Sequence, residues 1–178
     1  QREFDVEHLV IGGVRSGKSA HGQVLAQALA NKYKTQVVYL ATAQALDKGM
    51  QNRIQQHQSN RPSEWLLVEE SLDIASVLLK PEYQDNVILI ECMTLWLTNL
   101  LCLEDDVAFA QHKSAFMKAI TQTQAKLVCI SSEVGAGIMP MNSMARRFGD
   151  EAGLLNQQLA SLSEQVELVC AGLPLKLK

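Results

Sequence analysis

Five short apolar runs rich in Val, Ile and Leu recur along the chain, at residues 9–11, 36–41, 87–90, 127–131 and 166–171. Between them the apolar positions fall at helical spacing, which predicts helices over 19–31, 47–58, 93–103, 107–123 and 142–163. In the first of these the repeat is carried by Val24, Leu25, Ala28 and Leu29. Strands alternating with helices imply a mostly parallel sheet covered on both faces. A further extended piece at 65–69 follows Arg61-Pro62, and residues 175–177, after Pro174, read as a late edge strand. There is no internal repeat and no low-complexity linker. The 178 residues, 47% of them hydrophobic, suit one domain over 1–178 that builds its core without disulfides or metal. Residues 1–8 read as a polar, loosely ordered N-terminal extension.

Charge and cysteine usage narrow the functional classes. A net charge of −3 argues against a nucleic-acid surface, which needs a clustered basic excess, and favours a small-molecule partner. No apolar run reaches the ~18–20 residues needed to cross a bilayer, so the expectation is a soluble, cytoplasmic protein. Cys92, Cys102, Cys129 and Cys170 are scattered, with no C-x-x-C pair, and three lie in apolar segments. They read as free core thiols rather than metal ligands.

The first strand runs into Gly12-Gly13-Val14-Arg15-Ser16-Gly17-Lys18-Ser19, which fits the phosphate-binding pattern G-x-x-x-x-G-K-[ST]. Each residue type has a task there. Glycines let backbone N–H groups turn inward around an anion, Lys18 brings charge to the β- and γ-phosphates, and Ser19 is a ligand for Mg2+. The following helix directs its positive end at the phosphates. Strand, loop and helix in that order point to a nucleoside triphosphate. In open α/β sheets, ligands sit beyond the carboxyl ends of the strands, and here those ends carry Ala41-Thr42-Ala43, Glu91 and Ser131-Ser132-Glu133. Glu91, acidic and directly after an apolar strand, is the leading candidate to hold magnesium, directly or through water. The competing reading of Glu91 is a charge at a helix N-terminus.

Several further motifs occur in one order: R-I-x-x-H at 53–57, Arg61-Pro62, E-C-M-T-L-W-L-T-N-L-L at 91–101 and E-V-G-x-G-I at 133–138. With Arg146, Phe148, Asp150, Gly153, Asn156 and Gln157, they resemble the bifunctional adenosylcobinamide kinase / adenosylcobinamide-phosphate guanylyltransferase family of cobalamin assembly. The resemblance covers the chain from about residue 9 onward. It implies a P-loop NTPase-like (RecA-like) three-layer sandwich with a mostly parallel central sheet, and a homotrimer. It also implies two reactions at one site. ATP or GTP phosphorylates the aminopropanol hydroxyl of adenosylcobinamide; GMP from GTP is then passed through a guanylyl-histidine to the new phosphate, giving adenosylcobinamide-GDP. No tightly bound organic cofactor is expected, only Mg2+ with the nucleotide.

By the same resemblance, His57 is the nucleophile, Arg61 and Glu69 join the nucleotide site, and the helix carrying His57 moves between reactions, with Gly49 as its hinge. Histidine suits the task because its ordinary pKa of ~6.5 leaves neutral imidazole available near pH 7. Met50, Arg53 and Ile54 share a helical face with His57, and Arg53 near the ring would favour its neutral form. The family pattern has a second histidine before the nucleophile, where this chain has Gln56, and an asparagine where it has Ser132. Among the other histidines, His8 falls in the polar N-terminal stretch and His112 in a charged helix. His21, on the helix that starts at the phosphates, is the serious competitor. Glu69 is either a guanine or ribose ligand or a surface charge. Arg15 reaches either a phosphate or a neighbouring subunit, while Arg146 and Arg147 either contact corrinoid phosphate or pair with Asp150 and Glu151. The loop 133–140 suits close approach to a ligand, and Leu95, Trp96, Leu97, Leu100 and Leu101 form core or subunit interface. The competing functions are a P-loop small-molecule kinase that never guanylylates a histidine, and a nucleotide-switched binding protein.

Overall fold

The computed structural model describes residues 3–44 and 62–178. The helix expected at 47–58, with His57, Arg53, Gln56 and Gly49, and the site residue Arg61, lie outside the described residues.

Seven strands form one sheet in the order β3-β2-β4-β5-β1-β6-β7. They are β1 (Val6–Gly12), β2 (Val37–Ala41), β3 (Leu66–Glu69), β4 (Val87–Glu91), β5 (Lys126–Ser132), β6 (Ser163–Cys170) and β7 (Leu173–Lys176). All neighbours pair in parallel except β6 and β7. The helices are α1 (Lys18–Tyr33), α2 (Ile74–Leu78), α3 (Met93–Leu101), α4 (Asp106–Gln122) and α5 (Ser143–Leu162).

The period of two in the strands sorts their side chains into two cores. Val37, Tyr39, Val87, Leu89, Val128 and Ile130 pack against Ala26, Leu29 and Ala30 of α1. Val38, Leu40, Ile88, Ile90, Leu127 and Cys129 face the other way, against Ile74, Trp96, Phe116 and Leu155 of α2 to α5. Trp96 meets Phe116 at 4.8 Å between ring centroids. Three layers result, with α1 alone on one face among the described helices. Gly22 lets α1 sit close to the sheet, since a Cβ there would lie 2.6 Å from Cδ1 of Ile130.

Several expectations shift. Residues 6–8, expected in a loose extension, begin β1: Val6 is fully buried and pairs with β6, and His8 pairs with both β5 and β6, which outweighs the polarity of Glu7 and His8. Ser163, expected to close the last helix, is already the first residue of β6; its buried hydroxyl donates to the Leu159 carbonyl and lets strand follow helix without a loop. Helix α2 has no counterpart in the predicted elements, because five residues are too few to show a period. It is fixed instead by Asp73, whose carboxylate caps Ser76 N–H. The last strand begins at Leu173 and includes Pro174, tolerated because β7 is an edge. Of the four thiols, Cys92 and Cys129 are buried and Cys102 and Cys170 exposed, so the expectation of core thiols holds for two. Burial pushes Cys129 up to about 12 and leaves it inert.

His8 on β1 is a consequence of that longer strand. Its Nδ1 is buried without a hydrogen-bond partner among the described residues. Burial lowers its pKa from the ordinary imidazole value, Glu167 and Glu164 raise it less, and His21 adds to the lowering. The folded chain therefore binds its proton more weakly than the unfolded chain. The associated stability is complete above about pH 6.5 and is lost as pH falls through the depressed folded pKa. Melting temperature followed from pH 8 to 5 is expected to fall less steeply for His8→Leu than for wild type below pH 6.5. Parallel curves would remove His8 from the acid response.

Candidate active site

The loop at residues 12–19 leaves the carboxyl end of β1 and enters α1, and its glycines have unequal reasons. A Cβ on Gly12 would sit 2.4 Å from Ser16 Oγ and 2.8 Å from the Val169 carbonyl, so no side chain fits. Gly17 has φ +94°, a left-handed conformation that favours glycine, with Gly172 Cα 3.1 Å from where its Cβ would be. A Cβ on Gly13 would meet nothing within 4 Å. Ser16 is buried, its N–H donating to the Gly13 carbonyl at 3.3 Å and its Oγ accepting from Lys18 N–H at 3.4 Å. Val14 and Arg15 are exposed, and Arg15 makes no described contact that settles its role. The Lys18 ammonium donates to the Gly13 carbonyl at 3.0 Å, which keeps the charge on the loop. No acidic side chain stands in the first turn of α1, so the positive end of its dipole is left for an anion.

Ser19, the second residue of α1, reaches across to Glu91 at the end of β4, its hydroxyl donating to one carboxylate oxygen. Tyr39 of β2 donates its hydroxyl to the other at 2.9 Å. This brings together the two expected magnesium ligands and adds Tyr39, which sequence reading placed only in a strand. Alternation along β2 puts Tyr39 on the α1 face, and that was the signal available. Glu91 is kept at its height by its neighbour: Thr42, fully buried, donates Oγ1–H to the Cys92 carbonyl and accepts from Cys92 N–H, both at 2.8 Å. Thr42 N–H also donates to the Glu91 carbonyl at 3.0 Å. The Thr42 side chain thus joins the ends of β2 and β4. Ala41 and Ala43 flank it, half-buried.

Beyond β5 a second polar group gathers. Thr94 Oγ1 donates to Ser132 Oγ at 3.2 Å, Ser131 donates to Asn156 Oδ1 at 2.6 Å, and Asn156 Nδ2 donates to the Ser132 carbonyl at 3.3 Å. Ser132 is in register with Gly12, so this group borders the phosphate loop. Glu69 ends β3 in register with Ala41 and is exposed, on the far edge of the sheet from β6.

His21 sits apart from these residues. Its Nε2 is in contact with the Glu167 carboxylate on β6, on the opposite side of β1 from Glu91, and the ring is thereby committed. Arg147 pairs with Asp106 at 2.6 Å and Glu151 with Lys113 at 2.7 Å, while Arg146 donates to the carbonyls of Pro140, at 3.1 Å, and Met141. The expected pairing of these arginines with Asp150 and Glu151 is not what forms; Arg146 closes its own loop and Arg147 joins α5 to α4. Leu97, Leu100 and Leu101 are core, with Trp96.

The sequence profile of the family described as cobinamide kinase / cobinamide phosphate guanyltransferase matches residues 8–177. The bifunctional adenosylcobalamin biosynthesis protein CobP of Pseudomonas aeruginosa is 39% identical over 170 residues, covering 96% of each chain. The protein named CobU in Salmonella typhimurium, with the same description, is 37% identical over 183 residues, covering 96% of this chain and 98% of its own. Among solved structures, a KaiC-like protein from Pyrococcus horikoshii superposes with a TM-score of 0.55 over 93% of this chain and 71% of its own. At 11% identity that likeness speaks to the α/β fold alone.

Proposed function

The chain belongs to the cobinamide kinase / cobinamide phosphate guanyltransferase family and is a bifunctional transferase of that type, and on that premise we propose that both reactions run at one nucleotide site built on residues 12–19. The observation that carries the proposal is the convergence of Lys18, Ser19 and Glu91 where β1 and β4 end. In the kinase step, the loop N–H groups and Lys18 hold the β- and γ-phosphates of ATP or GTP while the substrate hydroxyl attacks the γ-phosphorus. The bond to the β–γ bridging oxygen breaks, the nucleoside diphosphate leaves and the hydroxyl proton passes to solvent. The work is alignment and charge stabilisation rather than covalent help. Ser19 and Glu91 offer hard oxygen donors of the kind magnesium prefers, and they would hold it. When bound, the ion supplies neutralisation of phosphate charge.

In the second reaction the His57 imidazole attacks the α-phosphorus of GTP, and pyrophosphate leaves. An oxygen of adenosylcobinamide phosphate then attacks the guanylyl phosphorus, breaking the P–N bond, restoring His57 and releasing adenosylcobinamide-GDP. Arg61 and Glu69 contribute to guanine and ribose contacts, Arg53 steadies the neutral ring, and the active assembly is a cytoplasmic homotrimer. The match over residues 8–177 weighs against a kinase lacking the second reaction and against a nucleotide-switched binding protein. The test is incubation with magnesium and GTP labelled on the α-phosphate, followed by denaturing electrophoresis. Acid-labile, alkali-stable label that adenosylcobinamide phosphate chases off is the expected result. A chain that binds GTP yet takes up no label would leave only the phosphotransferase half standing.

A further inference from the structure

The β6–β7 hairpin touches the phosphate loop at three places that neither reaction uses. Gly172 N–H, in the turn, donates to the Ser16 carbonyl at 2.7 Å. The Val169 carbonyl and Gly172 Cα occupy the space that side chains at Gly12 and Gly17 would need. Glu167, in register with Val10, reaches His21 on α1, and their side chains are only 15% and 20% exposed. The His21 N–H itself donates to the Gly17 carbonyl at 3.1 Å, the first backbone bond of the helix.

These contacts have a directional result. A trans peptide points its C=O and N–H to opposite sides. Holding the Ser16 carbonyl on Gly172 therefore turns the Gly17 N–H away from the hairpin. The His21 contact with Glu167 fixes the rotation of the first turn of α1, the turn that carries Lys18 and Ser19. Ser19 leans toward Glu91 on β4 while His21 leans toward β6, so α1 is braced from both sides of β1.

We propose that the β6–β7 hairpin is a positioning device for triphosphate binding, acting through Gly172 on the loop and through the Glu167–His21 contact on the helix. It rests on residues 12–19 being the phosphate site, and Lys18→Ala serves as the control for that reading. Dissociation constants for GTP and for guanosine are measured in Glu167→Ala, His21→Ala, the double variant and the amide variants Glu167→Gln and His21→Gln. Each alanine change is expected to weaken GTP about tenfold, the scale of one lost charge-assisted hydrogen bond. The double variant is no weaker than either single one, because the two residues act as a unit. Guanosine binding is unchanged, and the amide variants, which still hydrogen-bond, recover most of the affinity. Should an alanine variant melt well below wild type, Glu167→Leu, of closer volume, carries the same comparison. GTP affinity within twofold of wild type in folded Glu167 and His21 variants overturns the proposal, provided that Lys18→Ala weakens GTP. Equal loss for guanosine and GTP overturns it as well. A Lys18→Ala chain that binds GTP normally refutes the underlying phosphate site instead.

Discussion

Replacing His57 with alanine is expected to abolish labelling of the protein by α-labelled GTP and to lower guanylyl transfer by about 10⁴-fold or more, the scale on which removing a covalent nucleophile acts. Phosphorylation of adenosylcobinamide is expected to stay within about threefold of wild type, since that step asks nothing of an imidazole. The split is the informative part. A general loss of folding or of nucleotide affinity would depress both reactions together. Gln56 cannot take over, because an amide nitrogen has no basic lone pair to attack phosphorus, and His21 is engaged by Glu167 on the other side of β1. His8 is half-buried on β1, and His112 lies on α4, packed behind the opposite face of the sheet from α1. Label persisting in the alanine variant would direct the search to one of those three rings, and peptide mapping would say which.

How much of this was legible in the sequence depends on whether a residue declares itself by its neighbours in the chain or only by its neighbours in space. Paired apolar positions such as Ile88 and Leu89 announced a strand covered on both faces, and the two separate cores they enter bear that out. The phosphate loop was legible because its chemistry is compressed into eight consecutive residues. That Glu91 would stand beside the loop was legible from the rule that ligands lie beyond the carboxyl ends of the strands, and Ser19 does reach it there. Tyr39, by contrast, looks like any half-aromatic strand, and only the register of β2 against β4 brings its hydroxyl to Glu91. The use of Thr42 as a backbone clamp was hidden for the same reason, since it appears only when β4 is laid beside β2. Of the two readings of Arg146 and Arg147, the pairing with Asp150 and Glu151 on their own helix does not form: one turns back to a loop carbonyl and the other crosses to α4. The Glu167–His21 contact joins residues 146 positions apart, beyond the reach of any local pattern.

Glu91→Gln is expected to reduce kcat of both reactions by about 10²- to 10³-fold, the loss typical of removing one preorganised electrostatic contact in a transition state. The argument rests on what the substitution keeps. Glutamine has the same shape, and its carbonyl oxygen still accepts from Ser19 or Tyr39, so the clamp between β2 and β4 through Thr42 is untouched. What disappears is the negative charge, the property that would hold a divalent ion beside the phosphates. Were Glu91 only a favourable charge ahead of α3, losing it would cost about 0.3–1 kcal/mol of stability and leave turnover alone. The two readings thus separate on one variant: wild-type turnover with a slightly lowered melting temperature means a helix charge, whereas lost turnover at an unchanged melting temperature means a metal ligand. Tyr39→Phe, which removes one hydrogen bond to the same carboxylate but leaves its charge and the Ser19 contact, is expected to cost only about tenfold. The ordering of the two variants follows from their chemistry: Tyr39→Phe leaves the carboxylate charge in place, while Glu91→Gln removes it.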